Sequence, residues 1–165
     1  MVRIWLCTLI LGQGWPGTKA WPQPKFQAVE IAPLIKRVAE LERRFKVDVA
    51  EGPALSVSAD PDQLEQLLIN LVRNAADAAL ETKGAVRLSW GKSATQLKLW
   101  VEDEGPGLAN TTNLFVPFFS TKPGGAGIGL VLSRQIAEAH GGSLTLENRP
   151  ERTGCTATLR LPLTR

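Results

Sequence analysis

The chain has 165 residues, of which 44% are hydrophobic, and its 19 Lys and Arg exceed its 16 Asp and Glu by only three. This length fits one domain with a short tail, and the positive charges are dispersed, so no basic stripe indicates a nucleic-acid partner. One histidine and two separated cysteines argue against histidine-rich metal sites, most histidine-dependent triads and a disulfide framework.

The first 24 residues differ from the rest of the chain. The apolar run at residues 4–11 is too short to span a bilayer, and no small-residue cleavage pattern follows it. Prolines at 16, 22 and 24 favour an extended linker. We interpret residues 1–24 as the remnant of a longer protein and a linker, and we predict a folded domain over residues 25–165.

The first predicted elements are a short strand at 26–31 and an amphipathic helix at 32–45, with Pro33 in its first turn. Short alternating strands follow at 47–50 and 55–58, joined across a turn cluster at 51–53.

Asp60 and Pro61 predict the start of a central helix, because Asp is a good N-cap and Pro suits the first helical position. Residues 81–84 end this helix. Its leucines and alanines form a broad apolar face, while Asn70, Asn74 and Asp77 form a narrower polar stripe. Asparagine is unfavourable inside a helix, so this stripe suggests a binding surface.

Two strands at 85–91 and 96–102 predict a hairpin that ends in the sequence EDEGPGL. A final helix is predicted from the glycine-rich segment 124–130 to Gly141, and a second hairpin from strands at 143–147 and 155–161. Glycines at a helix start leave backbone N–H groups open to anions such as phosphates. The segment is neither a dinucleotide fingerprint nor a P-loop.

Four blocks together resemble the catalytic ATP-binding domain of two-component sensor histidine kinases, within the Bergerat-fold ATPases. They are NLVRNAADA at 70–78, DEGPG at 103–107, FVPFFSTK at 115–122 and GAGIGL at 125–130. The segment PFFSTKPGGAGIGL, Asp77 and the linker PQPKF are most similar to the nitrogen-regulation type of sensor kinase. The resemblance covers about residues 26–163.

The resemblance implies an α/β (α+β) two-layer sandwich, with a mixed, mostly antiparallel sheet, about three helices on one face and a flexible ATP lid. It implies that Asn74 holds Mg²⁺ with help from Asn70, and that Asp103 binds the adenine amino group of ATP or ADP. Catalytic roles then fall on Asn70, Asn74 and Lys122. The other implied nucleotide-binding residues are Asp77, Gly105, Gly107, Phe119, Thr121, Gly125, Gly127, Ile128, Gly129 and Leu130.

The same resemblance implies transfer of the γ-phosphate to a histidine on a separate helical hairpin, and through it to a response regulator. His140 ends a helix and is followed by two glycines, so we interpret it as structural. The phosphoacceptor is therefore expected on another segment. The parent protein is expected to be a dimer, cytoplasmic or anchored at the inner membrane, with no membrane contact by this domain.

Related ATPases that hydrolyse ATP carry a glutamate one turn before the metal-binding asparagine, where this chain has Asn70. Glu65 falls on the opposite helix face from Asn74, so hydrolysis is expected to be slow. Two alternatives stay open: a protein-serine kinase of the anti-sigma type with the same fold, and a nucleotide-binding regulatory module without catalysis.

Overall fold

A computed structural model of the protein describes residues 23–109, 114–116 and 127–163. Within these residues the chain forms three helices and seven strands. In chain order they are β1 (Gln27–Glu30), α1 (Ile31–Leu41), β2 (Val47–Val49), β3 (Ser56–Ala59), α2 (Pro61–Thr82), β4 (Val86–Lys92), β5 (Gln96–Asp103), α3 (Gly129–Ala139), β6 (Ser143–Asn148) and β7 (Cys155–Pro162).

Five strands form a mixed sheet in the order β2-β4-β5-β7-β6. The β2–β4 pair is parallel, and the three other pairs are antiparallel. β1 and β3 form a separate antiparallel pair. The two short strands on either side of residues 51–53 therefore do not pair with each other, because each finds a more distant partner.

The five-stranded sheet buries one face. Alternate side chains on the central strands are buried, as expected for a sheet that is covered on one side. Leu88 and Leu99 of the sheet share a hydrophobic core with Leu67 and Leu68 of α2 and Ile136 of α3. The molecule is thus the two-layer sandwich that the motifs predicted.

The central helix α2 begins where the sequence predicts. The Asp60 carboxylate accepts hydrogen bonds from the backbone N–H groups of Asp62 and Gln63, both at 3.1 Å, and from that of Lys25 at 2.8 Å. Lys83 ends the helix in the left-handed region, with φ of 56°. The helix that carries the polar stripe is therefore held at its N-terminus by a charged cap.

Helix α1 ends at Leu41, earlier than the predicted end at residue 45. Glu42 leaves the helical conformation, and its carboxylate accepts hydrogen bonds from the backbone and the guanidinium of Arg44. Such local side-chain bonds to the backbone compete with continuation of a helix.

Among the helices that the structure describes, none has the length and hydrophobicity needed to cross a membrane.

Candidate functional site

The polar stripe of α2 lies against the start of α3. The Asn70 amide donates to the Gly129 carbonyl oxygen over 3.5 Å, and Gln66 donates to the Asn70 Oδ1 atom over 3.1 Å. Asn74 lies one turn further along α2 and is partly exposed. Two predicted site segments that are far apart in sequence, around residues 70–74 and at residue 129, are thus brought together.

Asp103 is the last residue of β5, and its side chain is buried. Its Oδ1 atom accepts hydrogen bonds from the backbone N–H of Gly105 at 2.9 Å and of Cys155 at 3.3 Å. Burial, and then the nearby Asp103 charge, raise the pKa of the Cys155 thiol to about 12. The two hydrogen bonds from the backbone therefore orient the Asp103 carboxylate before any ligand binds.

The loop after Asp103 lies directly on α2. A Cβ atom added at Gly105 would lie 2.6 Å from the Ala78 Cβ and 2.8 Å from the Ala78 backbone carbon. Real Cβ atoms do not approach so closely, so only glycine permits this contact. The loop from β5 and the polar stripe of α2 therefore border one region.

A residue that the sequence did not point to fixes the far end of this loop. The Asn148 side chain accepts from the Leu108 N–H at 2.6 Å and donates to the Leu108 carbonyl oxygen at 3.0 Å. Gly107, the residue before Leu108, has φ of +82°, a conformation that favours glycine.

Gly154, with φ of +120°, also approaches Asp103 closely: an added Cβ would lie 1.9 Å from the Asp103 carbonyl oxygen. Asn148 and Gly154 border a polar hairpin loop, and a single sequence contains no signal that this loop reaches the end of β5.

Helix α3 begins without a side-chain cap. Ile128 is its N-cap residue and makes no side-chain hydrogen bond to the first turn, and Gly127 has φ of +63°. Among the described residues no side chain caps the first N–H groups of this helix, which suits the anionic ligand that the glycine-rich sequence predicts. Leu130 is partly buried and packs against the core.

Asp77 is bound to an arginine of the segment after α1. The Arg44 Nη1 atom donates to the Asp77 Oδ1 atom at 3.0 Å, and the Arg44 Nη2 atom donates to the Glu42 Oε2 atom at 2.8 Å. The hydrogen bonds from Arg44 lower the pKa of Glu42, although burial of this carboxyl acts in the opposite direction. Asp77 is therefore held to the end of α1.

Part of the predicted site lies outside the described residues, namely Phe119, Thr121, Lys122 and Gly125. Of the predicted lid, Phe115 is described. It packs partly buried against the core, and the Arg134 guanidinium lies 4.9 Å from its ring centre.

His140 is buried and fully bonded within the fold. Its Nε2 atom accepts from the Asp60 backbone N–H at 3.0 Å, and its Nδ1 atom lies 2.7 Å from the Ile136 carbonyl oxygen. Since a carbonyl can only accept, these contacts require the neutral Nδ1–H tautomer. The Phe26 ring packs edge-on, with the centroids 5.2 Å apart. These contacts agree with the structural interpretation of His140.

Residues 59–165 match the family of histidine kinase-, DNA gyrase B- and HSP90-like ATPases. The chain belongs to this family. The match includes all four sequence blocks, so the family that they indicated is confirmed, and nucleotide binding is the property that its members share by description.

Named relatives of this ATPase domain are sensor histidine kinases. The sensor histidine kinase ZraS of Escherichia coli K12 is 34% identical over 146 residues, which are 83% of this chain and 31% of ZraS. The histidine kinase/phosphatase NtrB of Escherichia coli O157:H7 is 31% identical over 157 residues, 87% of this chain and 44% of NtrB. The chain thus spans less than half the length of either relative.

Solved histidine kinase structures have the same fold as this ATPase domain. The ThkA catalytic domain has a TM-score of 0.73 at 31% identity, covering 85% of this chain and 97% of ThkA. Full-length ShkA in complex with AMPPNP has a TM-score of 0.75 at 25% identity, covering 88% and 33%. ThkA in complex with the response regulator TrrA has a TM-score of 0.71 at 30% identity, covering 86% and 42%.

Proposed function

We propose that this domain binds Mg-ATP and donates the γ-phosphoryl group to a histidine on a separate helical hairpin domain of a two-component kinase. The observation that carries the proposal is the convergence of three segments. The loop after the buried Asp103 packs on α2 at Ala78, and the start of α3 is bonded to the polar stripe of α2 at Asn70, so both lie beside this helix. Each segment supplies a group that one part of a nucleotide requires.

Asp103 is the proposed adenine-binding residue. Its carboxylate is buried and oriented by two backbone N–H groups, so it can accept from the exocyclic amino group of adenine while its geometry stays fixed. Gly105 keeps the loop backbone low against α2 and leaves room for a flat base beside it. Gly107 and Asn148 hold the end of the same loop.

The phosphates are proposed to lie toward α3. Among the described residues no side chain caps the start of this helix, glycines stand at 127 and 129, and the helix dipole favours negative charge there. Gly125, Thr121, Lys122 and Phe119 are proposed to complete this end of the site.

Asn74, assisted by Asn70, is proposed to hold Mg²⁺. No group of three or more His, Cys, Asp or Glu suited to a metal occurs among the described residues. The asparagine side chains fit Mg²⁺ bound through an amide oxygen, phosphate oxygens and water. This hard ion is usually held in this way beside nucleotides. When bound, Mg²⁺ would neutralise phosphate charge during phosphoryl transfer.

The protein residues position the nucleotide, and the acceptor histidine completes the reaction from outside this chain. The histidine attacks the γ-phosphorus, the bond to the β-phosphate oxygen breaks and ADP leaves. Transfer to a response regulator is proposed as the next step, and the solved complex of ThkA with the response regulator TrrA supports a partner of this kind.

Slow hydrolysis in the absence of an acceptor is proposed for the same site. Asn70 stands where hydrolysing relatives have a glutamate, and Glu65 is engaged by Arg37 in an ion pair of 2.7 Å. The carboxylate of the polar stripe, Asp77, is bonded to Arg44 at 3.0 Å and is therefore not offered as a general base. The sensor-kinase names of the relatives favour this function over a serine kinase of the anti-sigma type.

Calorimetric titration with ADP and with AMPPNP, each with and without Mg²⁺, tests the site. We expect saturable binding of both nucleotides that Mg²⁺ strengthens. A phosphoacceptor hairpin from a related kinase, added with labelled ATP, then tests transfer in trans. Binding without transfer to any hairpin would favour a regulatory module, while absence of binding at millimolar nucleotide would refute the proposal.

A further inference from the structure

A groove on the side of the molecule formed by α1 and α2 is separate from the proposed nucleotide site. It encloses about 340 Å³. Val38 of α1 and Val72 of α2 are its buried apolar residues, Ile69 is partly buried, and Leu41 at its edge has 48% of its surface exposed. The volume admits a few aliphatic side chains. We refer to it as the α1–α2 groove.

The edge of the α1–α2 groove is positively charged. Arg43 and Arg73 both line it and are both exposed. Neither guanidinium makes a hydrogen bond or ion pair with any of the residues that the structure describes. Exposed apolar surface flanked by cations without close anionic partners is suited to a ligand that supplies both aliphatic contacts and carboxylates.

The other charged groups of the groove are already satisfied. Arg44 also lines it, but its guanidinium is bonded to Glu42 and Asp77. Glu42 is the one carboxylate in the lining, and its charge is compensated by Arg44 and, at longer range, by Arg73. The positive excess of the lining therefore lies with Arg43 and Arg73.

We propose that the α1–α2 groove is a docking site for an amphipathic helix of a partner protein whose apolar stripe is flanked by Asp or Glu. A helix laid in such a groove presents side chains at i, i+3 or i+4 and i+7, which suits a short apolar trough with charged walls. None of the residues proposed above to bind the nucleotide lines this groove.

Charge disfavours the two other occupants. Residues 1–22 of this chain contain Arg3 and Lys19 but no Asp or Glu, so they would bring like charge to the groove. A second copy that bound through the same groove by two-fold symmetry would place arginines against arginines. An acidic helix is the occupant that matches both the apolar and the charged surface.

The test uses the full chain and two synthetic peptides that share leucines at i, i+4 and i+7 of a helix. One peptide carries Glu on both flanks and the other carries Lys. The protein variants are Arg43→Glu with Arg73→Glu, and a control with Arg87→Glu and Lys92→Glu, two exposed positions of β4 outside the groove. Binding is measured by fluorescence anisotropy at two salt concentrations.

We expect the Glu peptide to bind the unmodified chain and the control alike, and to bind the groove variant roughly tenfold more weakly. The Lys peptide should show the reverse preference for the groove variant. Leu41→Ser should weaken both interactions. Nucleotide titration of the same variants tests the nucleotide site separately, because loss of peptide binding need not change nucleotide affinity.

Four results would overturn the proposal. No binding of either peptide, or equal binding of the Glu peptide to the groove variant and the control, would show that the arginines recognise nothing of this kind. A preference of the unmodified chain for the Lys peptide would point to a basic occupant such as residues 1–22. Self-association in sedimentation that the groove variant abolishes would identify a second copy.

Discussion

Asp103 gains its proposed specificity from being unable to move. Its side chain is buried, and backbone N–H groups from the following loop and from β7 hold one of its oxygens. An exposed carboxylate would lose conformational freedom on binding adenine, whereas this one has already lost it on folding.

Asp103→Asn replaces an acceptor by an amide that presents a donor to one of its partners. We expect nucleotide affinity to fall by about 1.5 to 3 kcal/mol, the usual loss for a hydrogen bond to a charged group. Calorimetry measures the change. The matched control is Glu102→Gln, the preceding strand residue, and an equal loss in both variants would contradict a specific role for Asp103.

Gly105→Ala tests the close contact between the loop and α2. The added methyl would lie 2.6 Å from the Ala78 Cβ, so the loop must move. We expect a stability loss of about 1 to 3 kcal/mol, typical of overpacking, together with weaker nucleotide binding.

Gly91→Ala is the control for this substitution, because its nearest neighbours, ring atoms of Trp100, lie at 3.6 Å. Urea unfolding should show little change or a small gain for the control. A Gly105→Ala variant as stable as this control would mean that the loop does not lie on α2 in solution.

At the scale of elements, the cap of α2 links stability to pH. Burial would raise the pKa of Asp60, but the backbone N–H groups of Lys25, Gln63 and Asp62 outweigh it and lower the pKa below the ordinary value of 3.8. A carboxyl with a lowered folded pKa stabilises the fold above its unfolded pKa, and this stability is lost as pH falls through the folded pKa.

Asp60→Asn keeps a good N-cap but removes the charge. We expect the unmodified protein to be more stable than this variant near neutral pH, and the difference to shrink below about pH 4. Urea unfolding at both pH values measures it. Asp60→Ala, which also loses the cap, should cost about 1 kcal/mol. A pH-independent difference between the chain and Asp60→Asn would show that the charge is not stabilised.

Elements whose signals are local could be predicted from the sequence. Asp60 and Pro61 specify the start of α2, and the strands of both hairpins follow from alternation. The parallel pairing of β2 with β4 could not be predicted, because it depends on a long-range contact rather than on the turn at 51–53. The early end of α1 depends on Arg44, whose bonds to Glu42 a helical periodicity does not reveal.

The same distinction applies to the candidate site. Asn70, Asp103 and the glycines belong to motifs, so their types and spacing suffice to identify them as candidates. Asn148 and Gly154 act through strand β6 and the hairpin loop after it, which fold back on the end of β5. Their contribution is geometric and appears only when the chain is folded.

At the scale of the whole molecule, the chain has no accessible histidine that could accept the phosphoryl group. His140 is the single histidine, and both of its ring nitrogens are engaged inside the fold. An Nε2 or Nδ1 attack on ATP would require the first turn of α2 and the end of α3 to separate. The proposed histidine kinase activity therefore requires a histidine on a second polypeptide segment.

Incubation of the chain alone with labelled ATP and Mg²⁺ should give no acid-labile phosphoprotein. Addition of a matched phosphoacceptor hairpin should give label on the hairpin and none on this chain. The readout is a denaturing gel before and after acid treatment. The control is a hairpin with its histidine replaced by glutamine, and label on His140 in mass spectrometry would contradict the buried, bonded position of this ring.

The thiol of Cys155 offers a reporter that the fold already contains. Alkylating reagents react with exposed thiolate, and this sulfur is buried with a pKa of about 12, so it should react only when β7 separates from the end of β5. In a Cys7→Ser variant, the rate of Cys155 alkylation measures how often β7 separates from the end of β5. A nucleotide that binds beside Asp103 should lower this alkylation rate. The rate therefore measures nucleotide binding without a partner protein and without catalysis.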